Sequence, residues 1–284
     1  MNMAEKSIFL AFTGAETSLP ALDYGIWLAE QIDLPVTLLG IVENSARRKR
    51  VEEIIDSRCT RLENSGISYR VLLESGRSRD VICRLADPDR HLVVFGPFGR
   101  PRLRRWLRGR SFRRILQEIN TPVLYVSKAH LRLQKILVCL GGLGHALSAE
   151  RWSLYLAERM QASVTLLHVV EPISYDYPVA REIQDRWENI LETDTPQGQN
   201  LRAALRMAQE MGVTANFEVR HGDIVHEILA EASSKDYDMI VMGSPYSSNN
   251  LRHLFMPNVT AEVAEAMDGP ILAASFGQEW IFDE

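Results

Sequence analysis

The sequence is poor in cysteine and has no long hydrophobic run. The three cysteines among its 284 residues are odd in number and widely spaced, so Cys59, Cys83 and Cys139 build neither a disulfide framework nor a zinc site. The longest apolar run, Val36–Val42, is about a third of the length that a membrane-spanning helix needs. The first residues lack the cleavage site of a signal peptide and read as a strand. These absences predict a cytoplasmic protein that does not bind a membrane.

Motifs of catalysis and of metal binding are missing as well. The chain has no glycine–lysine pair for a P-loop, and no H-E-x-x-H, G-x-S-x-G or protein-kinase motif. His221 and His226 lie five residues apart across a strand-to-helix turn, where surface or capping roles suit them better than metal ligation. Because no positioned base, nucleophile or metal set is visible, the sequence predicts neither an enzyme nor a bound metal.

Positive charge is concentrated in one short segment of an otherwise acidic chain. The net charge is −5, yet residues 100–114 hold eight arginines and no acidic residue. One interpretation is that at least one of these arginines contacts phosphate; the other is a solvated loop that pairs with the acidic remainder. Leu103 and Trp106 indicate that one side of the segment packs. The sequence shows neither a recognition helix of the kind that contacts DNA bases nor a set of aromatic side chains on which bases could stack. Sequence-specific nucleic-acid binding is therefore not expected.

The chain is a tandem repeat. The segments VTLLGIVE (36–43) and VTLLHVVE (164–171) agree at six of eight positions, at an offset of 128 residues. The later pairs HLVVFG and DMIVMG, and TPVLYVS and GPILAAS, match in the same order at offsets of 147 and 148. The change of offset falls in one connection, 172–200, which is longer in the second copy. The repeat predicts two domains, residues 1–130 and residues 131–284.

Each half alternates short apolar strands with helical segments. In the first half the strands are predicted at Ile8–Phe12, Val36–Val42, Tyr69–Leu73, Leu92–Phe95 and Val123–Val126. This order predicts an α/β fold of two doubly wound domains, each a five-stranded, mainly parallel sheet flanked by helices. Such sheets bind ligands beyond the carboxyl ends of their strands, so the residues just after each strand are the candidates for a site.

A glycine-rich, basic segment follows the fourth strand of the first half. Gly96, Gly99 and Gly109 form the spacing G-x2-G-x9-G, and a helix is predicted to open at about Ser111. Glycines let backbone N–H groups converge on an anion, and a helix N-terminus adds further N–H donors. Arginines such as Arg100 supply bidentate donors to phosphate. The segment is therefore a candidate phosphate-binding loop.

With these features the chain resembles the universal stress protein family, in its tandem two-domain form, over nearly its whole length. The resemblance rests on the strand order, on the segment HVVEP (168–172) that ends the second strand of the second half, and on the glycine signature. It implies a fold like that of the adenine-nucleotide alpha-hydrolases, with ATP or another adenine nucleotide as ligand. It also implies stress adaptation through ligand-dependent interaction with an unknown protein partner, and leaves slow ATP hydrolysis open.

The resemblance further implies which residues contact the nucleotide. ATP-binding members carry Ser or Thr directly after the third glycine; here Arg110 stands there and Ser111 follows one place later. In those members the residues ending strands one and two hold the adenosine, and these positions map in this chain to Thr13, after strand one, and Ile41, near the end of strand two. Thr13 replaces the acid that normally follows strand one. Four residues of the loop complete the implied nucleotide-binding set: Gly96, Gly99, Arg100 and Gly109.

The second half departs further from this pattern. Gly243 is kept, but Tyr246 stands at the second glycine, and Pro257 and Asn258 stand where glycine and serine are expected. Gly141 replaces the acid after the first strand. A bulky tyrosine side chain would block the close approach of the backbone to a phosphate, and a proline has no N–H to donate to it. We expect a degenerate site in this half; the alternative is that Tyr246 fills the empty pocket as part of the core.

Two functions of different classes follow. The first is a stress protein that binds a nucleotide or another anion in its first half; the second is a ligand-free scaffold whose halves form a protein-interaction surface. Each half ends in an apolar strand, and family members pair through this strand. We therefore expect an intramolecular pseudo-dimer across Val123–Ser127 and Ile271–Ser275, and the sequence leaves a further homodimer open.

Overall fold

The first half alternates strands with helices. The computed structural model of the protein describes residues 6–98, 110–141, 147–170, 190–243 and 259–274, with Arg110 and Ser111 described by their backbone alone. The strands of this half are β1 (Ser7–Thr13), β2 (Val36–Val42), β3 (Tyr69–Ser75), β4 (His91–Phe95) and β5 (Val123–Val126). The helices between them are α1 (Leu19–Ile32), α2 (Arg48–Ser65), α3 (Ser78–Leu85) and α4 (Arg110–Glu118).

The second half repeats this alternation. Its strands are β6 (Lys135–Cys139), β7 (Ser163–Val170), β8 (Ala215–His221), β9 (Met239–Gly243) and β10 (Pro270–Ala274). Its helices are α5 (Leu147–Met160), α6 (Pro196–Glu210), α7 (Ile224–Ser234) and α8 (Val259–Ala266). In the described part of the chain, no helix has the length and apolar character that crossing a membrane requires. The predicted α/β class is confirmed.

The ten strands of the described residues lie in one sheet, in the order β3-β2-β1-β4-β5-β10-β9-β6-β7-β8. Neighbouring strands within each half are parallel. At the seam, β5 and β10 pair antiparallel, with Leu124 opposite Leu272 and Tyr125 opposite Ile271. The last strands of the two halves therefore pair as predicted, and Ser275 alone of the expected contact segment lies outside the described residues.

Strand side chains alternate between two hydrophobic layers. Ile8, Leu10 and Phe12 of β1 pack in one layer, whereas Phe9 and Ala11 pack in the other, and all five are buried. Helices α1, α2, α5 and α6 cover the first layer, and α3, α4, α7 and α8 cover the second. Because both sheet faces are covered, each half is doubly wound, which is why its strands read as continuous apolar runs.

Polar contacts join the halves beside the seam. Arg113 of α4 donates from Nε to Glu265 of α8 at 3.1 Å. The Gly269 N–H donates to the Ser127 hydroxyl at 3.1 Å. On the other face of the sheet, α1 packs against α5. The two halves thus meet through the sheet and through helices on both of its faces.

The connection between the halves is held by one carboxylate. Asp238, directly before β9, accepts hydrogen bonds from the backbone N–H groups of Gln134 and Lys135, at 2.7 and 3.0 Å. Arg132 Nε donates to the same carboxylate at 2.7 Å. The Asp238 side chain is 5% exposed, so its charge is satisfied almost entirely by the connecting segment.

Candidate functional site

The carboxyl ends of β1, β2 and β4 meet at one edge of the sheet. Thr13, the last residue of β1, lies opposite Ile41 of β2. Ala11 of β1 lies opposite Phe95, the last residue of β4, so Gly96 follows at the same edge. The structure therefore brings together three of the residues that the resemblance assigns to a nucleotide, at the place where open α/β sheets bind ligands.

Helix α4 begins where the glycine segment ends. Its first residue is Arg110, directly after Gly109. Phe112 is fully buried, with its ring centroid 5.0 Å from that of Tyr125 and 6.4 Å from that of Phe95. This aromatic cluster fixes the first turn of α4, whose leading N–H groups have no partner within the helix, beside the ends of β4 and β5.

For five residues of the predicted nucleotide-binding set, the position of the side chain is not described. Gly99, Arg100 and Gly109 lie outside the described residues, and Arg110 and Ser111 are described by backbone alone. Their contact with a nucleotide stays a prediction from the sequence.

The turn after β1 uses its own polar groups. The Thr13 hydroxyl accepts a hydrogen bond from the Ala15 N–H at 3.2 Å. The Ser18 hydroxyl is within donating distance of two carbonyl oxygens, that of Thr13 at 2.9 Å and that of Ala15 at 2.7 Å. It also accepts a hydrogen bond from the Thr13 N–H at 3.3 Å. Thr13 is 2% exposed. These bonds hold the approach to α1 and engage both hydroxyls within the protein.

Gly96 lets the start of α1 pack against the end of β4. A Cβ at this position would lie 2.9 Å from the Val126 carbonyl oxygen, 3.1 Å from the Ala21 Cβ and 3.3 Å from the Thr17 carbonyl oxygen. Two of these neighbours are backbone atoms, which cannot swing aside as a flexible side chain does. Gly96 therefore has a packing role in this chain that does not depend on a ligand.

One hydrogen bond joins the turn after β1 to the segment after β4. The Thr17 hydroxyl donates to the Pro97 carbonyl oxygen at 2.8 Å, and Thr17 is 8% exposed. The bond lies at the carboxyl ends of β1 and β4, which pair directly in the sheet. Sequence reasoning missed Thr17, because the partners lie 80 positions apart and neither belongs to a motif.

Positive charge lies beside the end of β1. The residue before α2 and its first turn read Arg47-Arg48-Lys49-Arg50, without an acidic residue. A Cβ at Gly14 would lie 3.5 Å from the Arg47 Cβ and 3.5 Å from the Arg50 Cγ. The stems of these two arginines therefore pass over the turn that follows β1.

Only part of this charge is neutralised nearby. Arg48 pairs with Glu52 at 2.9 Å, and Arg50 approaches Glu53 at 3.6 Å. Within the described ranges, neither Arg47 nor Lys49 has an acidic partner within ion-pairing distance. Cations at a helix N-terminus oppose the helix dipole, so this arrangement is unfavourable unless an anion lies close by.

The corresponding edge of the second half is described in part. The Thr260 hydroxyl of α8 donates to the carbonyl of Gly243, which ends β9, at 3.0 Å. The residues that predict a degenerate site lie outside the described ranges: Tyr246, Pro257 and Asn258. The described residues contain no group of three or more His, Cys, Asp or Glu side chains able to hold a metal ion.

Comparison with known sequences matches one family at two places. The model of the universal stress protein family matches residues 5–127 and again residues 132–274. A universal stress protein of Methanocaldococcus jannaschii is 28% identical over 140 residues, covering 49% of this chain and 80% of that protein. Another from Bacillus subtilis is 26% identical over 153 residues, covering 49% of this chain and 96% of that protein.

Solved structures share the fold over both halves of the chain. A universal stress protein of Archaeoglobus fulgidus superposes with a TM-score of 0.67 at 15% identity, covering 95% of this chain and 98% of that one. A structure from Pseudomonas aeruginosa gives a TM-score of 0.70 at 17% identity, covering 95% and 93%. The structural likeness supports the fold, and the family matches extend over most of the sequence. The chain belongs to the universal stress protein family and holds two of its domains in tandem.

Proposed function

We propose that the first domain binds an adenine nucleotide or another phosphate-bearing anion along residues 96–111, while the second domain is structural. The observation that carries the proposal is the meeting of three strand ends, at Thr13, Ile41 and Gly96, on the same half whose α4 begins at Arg110. A helix N-terminus beside the carboxyl ends of parallel strands favours bound anions, because its N–H groups and its dipole both attract negative charge.

In this proposal the phosphates lie against the N–H groups of the glycine segment and of the first turn of α4. Arg100 and Arg110 add charged hydrogen bonds, and any nucleoside lies over Thr13 and Ile41. The role is ligand-dependent interaction with a protein partner, without turnover. A cytoplasmic location stays a prediction from the few, widely spaced cysteines.

Calorimetry with ATP tests the proposal on the full chain. Gly99→Val should abolish binding, because a branched side chain would occupy the place of a phosphate. Arg110→Ala should weaken binding at least tenfold and flatten its salt dependence, since a charged hydrogen bond contributes about 1.5–3 kcal/mol. Tyr246→Ala and Pro257→Ala are the matched controls in the second domain, and they should bind as the parent does. Undiminished binding by Gly99→Val would place the site elsewhere.

A second candidate function is a ligand-free scaffold, and two contacts favour it. The Thr17–Pro97 hydrogen bond joins the segments after β1 and β4, over which a ligand would lie, and protein atoms already surround Gly96. The same calorimetry separates the candidates. A parent protein that binds no nucleotide and carries none through purification fits the scaffold and rejects the nucleotide site.

A further inference from the structure

We propose that a carboxylate-bearing ligand binds between Arg70 and His91 at the amino edge of the first domain, where β1 to β4 begin. His91 is the first residue of β4 and Arg70 the second of β3, whereas Thr13 and Ile41 lie at the opposite edge of the same strands. The proposal therefore goes beyond the nucleotide site and does not depend on it. It rests on a buried N–H group that has no acceptor.

The imidazole ring of His91 is held in a fixed orientation. The residue is 4% exposed and stacks on Phe9, with 4.7 Å between the ring centroids. The Asp87 N–H donates to its Nδ1 at 3.0 Å. Burial, and to a smaller extent the charge of Arg70, lowers the pKa of His91 from 6.5 to about 4, so the ring is neutral near neutral pH. A neutral imidazole that accepts at Nδ1 carries its one proton on Nε2.

This Nε2–H faces another donor. Arg70 Nη2 lies 3.4 Å from His91 Nε2, and a guanidinium nitrogen can donate but not accept. With the proton on Nδ1 instead, the conflict would move to the Asp87 N–H, so no neutral tautomer satisfies both contacts. Two donors 3.4 Å apart can share one oxygen that lies about 2.9 Å from each, and such an oxygen removes the conflict.

The neighbouring side chains do not supply this oxygen. Arg70 Nε donates to the Thr37 hydroxyl at 2.8 Å, and the Ser7 hydroxyl lies 3.4 Å from Thr37 Oγ1. Among the described residues, no hydroxyl or carboxylate accepts from His91 Nε2, and Arg70 has no acidic partner. The Asp87 carboxylate is paired with Arg90. Because Arg70 is exposed, an anion from solvent can reach its guanidinium.

The second half indicates which anion suits this position. The repeat offset of 147 aligns His91 with Asp238. There the side chain is itself a carboxylate, which accepts from Arg132 Nε and from the N–H groups of Gln134 and Lys135. The first half has an arginine and an imidazole N–H at the corresponding place and no acid among its described residues. Donors of this kind form their strongest hydrogen bonds with an ionised carboxylate, so the missing acceptor is the carboxylate of a ligand.

Nitrogen NMR of the histidine side chains in the full chain tests the proposal, with acetate as the probe and chloride at equal ionic strength as its control. Before addition, His91 should show a neutral ring protonated at Nε2. Acetate should shift the Nε2 resonance until the shift saturates, and chloride should not. Arg70→Gln should weaken acetate binding about tenfold, as expected for the loss of a charged hydrogen bond. Arg84→Gln is the matched control, because Arg84 lies on α3 and pairs with Glu74 of β3 at 2.9 Å.

Three results would overturn the proposal. They are an Nε2 resonance that acetate leaves unmoved, as expected if water fills the place, an equal response to chloride, and equal acetate affinities for Arg70→Gln and Arg84→Gln. Inorganic phosphate is a further probe in the same titration. If it binds more tightly than acetate, the assignment of the ligand as a carboxylate is wrong.

Discussion

Glu150 of α5 is a buried acid where the other half has a hydrocarbon. It is 7% exposed, and the repeat offset of 128 places it at the position of Leu22 in α1, which is 2% exposed. Burial raises the pKa of the Glu150 carboxyl from 4.5 to about 7. The folded protein therefore keeps a proton that the unfolded chain releases above pH 4.5, so this residue costs stability increasingly as the pH rises from 4.5 to 7.

Replacing Glu150 with leucine should stabilise the protein, and more so at pH 8 than at pH 5. The free energy of unfolding should rise by about 1–3 kcal/mol at pH 8, because no carboxylate remains to be held in an apolar site. Thermal unfolding at both pH values measures the effect, with the exposed Glu158→Leu of the same helix as control. A gain of equal size at both pH values would contradict the role of ionisation.

Single residues were the least predictable part of the candidate site. Thr13 and Ile41 were placed at the right edge because Thr13 ends β1 and Ile41 lies one residue before the end of β2, and strand ends are visible in the pattern. The packing of Gly96 against Thr17 and Ala21 was not predictable, since it depends on how closely α1 approaches β4. Contacts between segments distant in sequence leave no periodic signal.

At the scale of the elements, the contacts between Asp238 and the segment that connects the two halves give a direct test of stability. Asp238→Ala should lower the free energy of unfolding by about 2–4 kcal/mol, because it leaves the Gln134 and Lys135 N–H groups without their carboxylate acceptor. Chemical denaturation measures the loss. Arg132→Ala is the control, since the Arg132 side chain is 55% exposed and its ion pair contributes little. A loss as large for Arg132→Ala would show that the ion pair, and not the backbone bonds, holds the connection.

The strands were predicted closely where they are buried on both faces, and less well at the edge of the sheet. β2 was predicted with its observed bounds, Val36–Val42, because every residue of it is buried. β3 runs to Ser75, two residues beyond the predicted Leu73. Its last residues are polar because β3 is an edge strand that meets solvent, so hydrophobicity alone understates its length.

At the scale of the whole molecule, the seam should hold the two halves together even without a covalent link. Residues 1–130 and 131–284, produced as two chains in one cell, should co-purify as a one-to-one complex, because Leu124 and Leu272 pair across the seam and are fully buried. Leu272→Asp should abolish co-purification. Size-exclusion chromatography of the mixture gives the measurement.

A substitution on the outer edge of the same sheet provides the control for this split-chain experiment. Val71 of β3 is 40% exposed, so Val71→Asp should leave co-purification intact. Halves that run as separate monomers would contradict the seam as the main contact. The same experiment tests the domain boundary, which stays a prediction from the repeat. The pairing itself was predictable, since each half ends in an apolar strand that needs a neighbour.

The antiparallel seam fixes the direction in which each half faces. Since β5 and β10 run in opposite senses while the strands within each half are parallel, the two carboxyl edges lie at opposite ends of the common sheet. No small ligand can touch both. In a dimer of identical chains, every substitution changes both edges at once. Here the two edges are encoded separately, so a tyrosine or proline can arise at one of them while the glycines of the other stay as they were.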